Sequence, residues 1–447
     1  MPLPRLLPAL AALAVLAACD RPVLDAEPPT VSVVAPDLSR VQPGGELRVR
    51  VRAVALRGVR EVRVDGVEAA PVGDDLWEAA VTVPAGVSRL LVTAQSQDGA
   101  EESATAFVAV AAFVGGAETF GLPAPRAGHA AAVLGDGGVL LSGGSGGDGR
   151  ALATAVRLRE QGLGVVVADE IALPRARTGH AAVPLPDGRV LLIGGAEGPF
   201  FEEDPFVAEV DAVAPDGSVE TLATDGAPVL RAGHVAFAFE REGRTFVAVV
   251  GGQRAGTPRP TTPGTIAVVE VRPDGVVETV TPDGGVGPFV AVPRGAGAVV
   301  AAGGGATAAL VTGLTPAGAG VDPAAARVAA AEPTNALFPF DLLQETVGRP
   351  REPRTAAAAA PFGDPGEGLA LLTGGQNAGG AALASVELYG DAARAFFAFP
   401  LDAALRTPRA GHTATRLPSG RILVAGGRDE SGAVLSSYEL LYPQSAP

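Results

Sequence analysis

The chain has 447 residues, a formal net charge of −15, one cysteine and only 4% aromatic residues. Its length suffices for two domains with sizeable cores. The acidity argues against nucleic acid and anionic lipid headgroups as partners, the shortage of aromatic residues argues against stacking platforms for glycans or single strands, and a lone cysteine excludes an internal disulfide.

Residues 1–19, MPLPRLLPALAALAVLAAC, place Arg5 ahead of an apolar run from Leu6 to Ala18. The run is shorter than the roughly 20 residues of a spanning helix and has the layout of an export signal. Its end, Leu16-Ala17-Ala18-Cys19, looks like a bacterial lipobox. The resemblance implies lipid attachment at Cys19, with an ordinary secretory signal and an incidental cysteine as the alternative. The expected protein is therefore exported and held in the bacterial cell envelope by its lipid alone. The outer membrane or the cell surface is the favoured location.

Residues 20–29 read as a short tether. Residues 30–112 then alternate apolar and polar positions at Thr30–Val34, Glu46–Ala55, Val59–Val64, Trp77–Val83 and Leu90–Ala94, with turns at Pro43-Gly44-Gly45, Asp65-Gly66 and Asp98-Gly99. This spacing predicts about seven short strands in a β-sandwich. The stretch from Leu76, LWEAAVTVPAGVSRLLVTAQSQDGAEESA, resembles bacterial Ig-like domains, although the Asn usual after the Gly turn is missing. Trp77 is expected in the core rather than as a ligand platform.

From residue 113 one sentence repeats: Arg-x-Gly-His, an apolar stretch, a turn, a second apolar stretch, Gly-Gly. It occurs as PRAGHAAAVLGDGGVLLSGG from Pro125, RTGHAAVPLPDGRVLLIGG from Arg177, RAGHVAFAFEREGRTFVAVVGG from Arg231 and PRAGHTATRLPSGRILVAGG from Pro408. The chain's four histidines, His129, His180, His234 and His412, all occupy the same place in it. A fifth copy from Arg354 has Ala357 at the histidine position. A sixth is read at Gly287–Gly304, with Pro288 in the histidine's place and Gly285 in the arginine's. A period of about fifty residues marks stacked repeats. Each reads as four antiparallel strands, a propeller blade. The repeat resembles kelch repeats, including those of galactose-oxidase-like propellers. The resemblance implies a six-bladed kelch-type β-propeller over residues 113–447, and the fold class expected for the whole chain is all-β. The sixth blade lacks an outer strand, which Ala117–Leu122 is expected to supply, closing the ring.

Four imidazoles around an axis make His129, His180, His234 and His412 weak candidates for a metal. Their even spread over the repeats favours structural bonding between blades. Arg126, Arg177, Arg231, Arg354 and Arg409 precede the histidine position, and Glu209, Glu270, Glu387 and Glu439 recur on the third strand. Bridges between neighbouring blades are expected from them, with an axial anion site as the rival. Loops after Gly-Gly emerge on one rim and offer partner-binding residues: Phe200, Phe201, Glu202, Glu203, Asp204 and Phe206 in the second blade, Arg254 and Arg259 in the third. For the phenylalanines, exposed contact patch and buried loop cap stay open. A site-free insertion is expected within Ala306–Pro350.

No catalytic signature or phosphate loop is present, and a Cys–Tyr radical cofactor of the galactose oxidase kind has no thiol to spare. No cofactor and no catalytic residue are assigned. The function expected is an envelope-anchored protein-binding or scaffold module, a monomer binding an envelope or extracellular protein through one rim. The alternatives are a kelch-like propeller enzyme, an oxidase or sugar isomerase, and a structural surface protein without a specific ligand.

Overall fold

A computed structural model describes residues 28–34, 46–82, 86–110, 121–161, 164–198, 205–254, 266–286, 296–303, 306–317, 320–331, 341–363, 368–398 and 404–441. Every regular element among them is a β-strand. The chain divides into two compact units, the main body of the second beginning at Phe107.

The first unit holds β1 (Thr30–Val34), β2 (Glu46–Val54), β3 (Val59–Val64), β4 (Val67–Glu68), β5 (Ala70–Pro71), β6 (Leu76–Thr82), β7 (Gly86–Ser96) and β8 (Glu101–Val110). They form two four-stranded sheets, β1-β2-β6-β5 and β4-β3-β7-β8. Alternation decides which side chains meet between them. Val49, Val51, Ala53, Val62, Val64, Ala79, Val81, Val92 and Ala94 are buried, while Arg50, Arg52 and Arg63 face out. Trp77 shares the inward parity of Ala79 and Val81 but sits near the strand's start and is half-buried.

The second unit is a series of antiparallel sheets. The first contains β9 to β12 (Ala130–Val133, Val139–Ser142, Thr154–Gln161, Gly164–Ala172), and the second β13 to β16 (Ala181–Pro184, Val190–Ile193, Val210–Val213, Val219–Asp225). The third contains β17 to β20 (Arg231–Arg241, Arg244–Arg254, Ile266–Val271, Val276–Val286), and the fourth β21 to β24 (Ala296–Gly303, Ala306–Ala317, Gly320–Ala331, Asp341–Thr346). The fifth contains β25 to β28 (Ala358–Phe362, Leu369–Thr373, Val386–Gly390, Ala395–Ala398), and the sixth β29 to β31 (Thr413–Arg416, Ile422–Ala425, Tyr438–Leu441). The strands opening the sheets, β9, β13, β17, β21, β25 and β29, touch in succession, and β29 touches β9 again. The circuit is closed. One extra link exists: β16 pairs in parallel with β20, joining the second and third sheets.

Burial follows from this stacking. The second strands β10, β14, β26 and β30 are buried at every position, as strands covered on both faces must be. The outer strand β12 is exposed from Val166 to Glu170. Odd and even residues of one strand serve different neighbours: Leu141 packs with Leu423 and Leu440 of the sixth sheet, and Leu140 with Val190 and Leu192 of the second.

The fourth sheet departs from the repeat pattern. Gly303 ends its first strand rather than its second, and Gly285 lies in β20, the outer strand of the third sheet. Residues expected as an insertion form β22, β23 and β24 instead. The expectation failed because an Ala- and Gly-rich strand carries no turn signal separating it from a loop. Pro288 lies outside the described residues.

Of the segment expected to complete the sixth sheet, Gly121 and Leu122 are described. Gly121 bridges antiparallel to Ser437, and Leu122 N–H donates to the Ser436 carbonyl at 2.6 Å. The Leu122 side chain is buried in the seam between first and sixth sheets. Leu122→Ala is expected to cost about 3 kcal/mol, read as a lower denaturant midpoint for the second unit.

Candidate functional site

The Arg-x-Gly-His turn places four residues in four directions. The arginine turns inward: Arg126, Arg177, Arg231, Arg354 and Arg409 are at most 1% exposed. A buried guanidinium is costly unless paired, and each finds partners inside its own sheet. Arg409 donates through Nη1 to the carbonyls of Gly426 (2.9 Å) and Ser437 (3.2 Å), and through Nη2 to Glu439 Oε1 at 2.6 Å. Arg354 repeats this with Gly374, Ser385 and Glu387. Arg177 pairs with Asp211. Arg126 donates to the Gly143 carbonyl at 3.1 Å, and burial lowers its pKa to about 10 against the pull of Glu170.

The bridges therefore run within sheets, not between neighbours as the sequence led us to expect. The reach of an arginine placed before the first strand matches the third strand of its own sheet. Two acids also have other roles, since Glu209 pairs with Arg175 and Glu270 with Arg244. Glu387 and Glu439 do more than pair. Each also accepts two backbone N–H bonds, from Arg351 and Glu352 and from Arg406 and Thr407, and so fixes the approach to its first strand.

The third residue of the turn faces the axis with φ near +65° at Gly128, Gly179 and Gly411. These residues hand a hydrogen bond around the ring: Gly411 N to Ala356 O (2.7 Å), Gly128 N to Gly411 O (2.7 Å), Gly179 N to Gly128 O (2.8 Å), Gly233 N to Gly179 O (2.6 Å). Ala356 occupies the same left-handed region at φ 50° despite its side chain.

The histidines are 5–6% exposed and reach back to the preceding sheet. His180 Nε2 lies 2.8 Å from Ser142 Oγ, and His412 Nε2 lies 2.9 Å from Thr373 Oγ1, both at the end of the preceding second strand. In front of His129 that position is Ala425, and the ring bonds Thr413 Oγ1 at 2.9 Å instead. Burial, with the neighbouring Arg126 and Arg231 respectively, pushes His129 and His234 down to about 3. Burial and then Arg177 or Arg409 push His180 and His412 well below the usual histidine range. No group of three or more His, Cys, Asp or Glu positioned for a metal is found among the described residues.

These turns ring the wall of an axial cavity of about 580 Å³. In the first, fifth and sixth sheets its mouth is built by the residue after the Gly-Gly, which bridges back to its own turn: Ser145 to Ala127, Gln376 to Thr355, Arg428 to Ala410. Arg428 donates to Ser145 Oγ at 3.1 Å and to the Gly432 carbonyl at 3.2 Å. Asp429, Glu430 and Ser431 also line the cavity. The Ser431 hydroxyl bonded to the Asp429 carboxylate holds that group below its ordinary value. None of these mouth residues stood out in the sequence, although their place directly after the diglycine was a usable signal.

Of the loop residues that did stand out, Phe206 and Arg254 are described. Phe206 bridges to Ala196, packs on Ala196 and Ala232, and is half-buried. Arg254 ends β18, in register with Arg231. Phe200, Phe201, Glu202, Glu203, Asp204, Arg259 and Cys19 lie outside the described residues.

No protein-family model matches the chain, and no curated protein does. Among solved structures, that of YjhT is similar at 15% identity and a TM-score of 0.50, covering 72% of this chain and 96% of that one. A fungal alcohol oxidase of the AA5 family, solved in complex with copper, is 14% identical over 92% of this chain and 76% of its own. Its TM-score of 0.45 is too low to support inference about fold or chemistry. The fold fits a kelch-type β-propeller. Identity at this level speaks for fold alone.

Two outcomes follow from the propeller's joints. The unfolded chain binds more protons than the folded one wherever a buried neutral histidine has its pKa depressed from about 6.5. Stability is therefore full above pH ~6.5 and falls towards pH ~3, by up to about 1.4 kcal/mol per pH unit for each histidine. Urea midpoints measured from pH 7 to pH 4 should drop, and should drop less in His180→Gln. Ala356→Gly relieves a left-handed non-glycine residue and is expected to stabilise by about 0.5–1 kcal/mol after glycine's added chain entropy, checked as a raised melting temperature.

Proposed function

We propose that the chain is an exported, lipid-anchored binding protein. In this reading an Ig-like unit carries a six-bladed kelch-type propeller, and an envelope or extracellular protein docks on the rim around the axial cavity. One observation carries the proposal. The repeated arginines and histidines are buried in and between the sheets, whereas the cavity-lining residues after the diglycine differ among the first, fifth and sixth sheets: Ser145, Gln376, Arg428. Variable chemistry on a rigid repeated frame is how loops carry recognition.

A second reading, a small-molecule site with or without catalysis, has the cavity in its favour, because about 580 Å³ lies within the range of small-ligand pockets. Affinity capture after in-cell crosslinking separates the two. The binding reading expects a reproducible protein partner that is lost when Gln376, Arg428 and Glu430 are together changed to Ala, with the melting temperature unchanged. Absence of any partner from the unaltered protein, together with stabilisation by a small molecule in a thermal-shift screen, would overturn it in favour of the second.

A further inference from the structure

The largest exposure of an apolar side chain in the described residues is in the first unit. Leu56 is 87% exposed, at the turn Ala55–Gly58 between β2 and β3. Val54 (45%) and Val72 (51%) are also exposed, and the hydrogen bonds put all three at one end of the unit. Ala53 N–H donates to the Asp75 carbonyl, so the β5–β6 turn holding Val72 lies beside the end of β2. Val67 and Leu91 are exposed at the other end, where Val64 pairs with Val67 and Asp65 N–H donates to the Leu91 carbonyl.

The course of the chain distinguishes these two ends. Thr30, the first residue of β1, pairs with Val54, so the chain coming from Cys19 arrives at the Leu56 end. At that same end Gln97 N–H donates to the Gly58 carbonyl, and β8 turns back through Ser96–Ala100 and runs away from it. Ten residues, 20–29, separate Cys19 from β1, a span of at most about 35 Å when fully extended.

We infer that the Leu56 end of the first unit is a membrane-contacting surface: Leu56, with Val54 and Val72 beside it, enters the headgroup layer of the bilayer that holds Cys19. The inference rests on the lipid attachment proposed above. Burying one leucine and two valines is too little to hold a free protein on a membrane. Tethering turns the contact into an intramolecular one, where a weak interaction suffices to set orientation. The charges at this end specify the lipid. Exposed Arg52, Arg57 and Arg60 are matched by Asp74, Asp75 and Asp98, with Arg57 4.0 Å from Asp98, so the surface has no positive excess and suits a zwitterionic headgroup layer.

The test uses the full lipidated chain on phosphatidylcholine vesicles. Since Cys19 is the chain's one cysteine and the lipid occupies it, Leu56→Cys and Glu68→Cys each accept a single environment-sensitive fluorophore. The expected result is co-flotation of both, with a blue shift and loss of emission to acyl-brominated lipid at position 56 and neither at 68. A label at Val72→Cys should behave like that at 56 and lose its quenching when Leu56→Ser is added, with flotation unchanged. Co-flotation with an unquenched label at 56, or equal quenching at 56 and 68, overturns the surface while leaving the anchor standing. Failure to float overturns the anchor, and the surface with it.

Discussion

One joint holds the second unit together, and the repeated sentence is that joint read from two sides. In the first, second, fifth and sixth sheets the second glycine of the diglycine donates its N–H to the arginine carbonyl of the following turn: Gly144 to Arg177, Gly195 to Arg231, Gly375 to Arg409 and Gly427 to Arg126, at 2.7–2.9 Å. The first glycine lies so near the same carbonyl that a Cβ would stand within 2.5 Å of it at Gly143, Gly194, Gly374 and Gly426. The following histidine ring closes over that glycine. Arginine, glycine and histidine in one repeat and Gly-Gly in the one before are therefore coupled, and substitution at either side acts on both.

The joint from Gly427 to Arg126 is also where the last sheet of the second unit meets the first, so closure of the circuit depends on the same geometry as the other described joints. Here it is reinforced. Leu122 is buried beside Leu440, and Arg421, itself 9% exposed, donates to Glu160 Oε1 at 2.6 Å across the seam. An ion pair at this depth contributes through the hydrogen bonds that satisfy it rather than through charge attraction alone. With a single cysteine, the unit has no disulfide to offset a lost joint. Cooperativity around the ring has to do that work.

Much of this was legible in the sequence, and the unread part has a common cause. The short apolar runs Val139–Leu141, Val190–Ile193 and Ile422–Ala425 were legible as strands, and they are wholly apolar because both faces of the second strands are covered. The spans of β1 and β3 were readable from alternation. The fourth sheet was misread because its alanines and glycines carry neither periodicity nor turn chemistry, leaving spacing as the only ruler. The arginine bridges were assigned across sheets because a repeat pattern gives the residues of a contact but not the direction in which a side chain leaves its strand. The mouth was illegible for the opposite reason: Gln376 and Arg428 do not repeat, and a repeat pattern marks only the positions that do.

The fifth copy is degraded: Ala357 stands in place of the histidine and Ala356 in place of the axial glycine. Ala356 keeps the left-handed φ of 50°, and its carbonyl still accepts from Gly411, so the axial chain of backbone bonds tolerates a side chain at this position. That tolerance leaves the cavity lopsided. Histidine rings back the turns of the first, second, third and sixth sheets, while Ala357 and Ala359 line the fifth, beside the polar residues Gln376, Arg428 and Glu430 at the mouth. A circular fold of near-identical repeats has no preferred side of its own. Whatever docks here would find one only where the repeat has been allowed to decay.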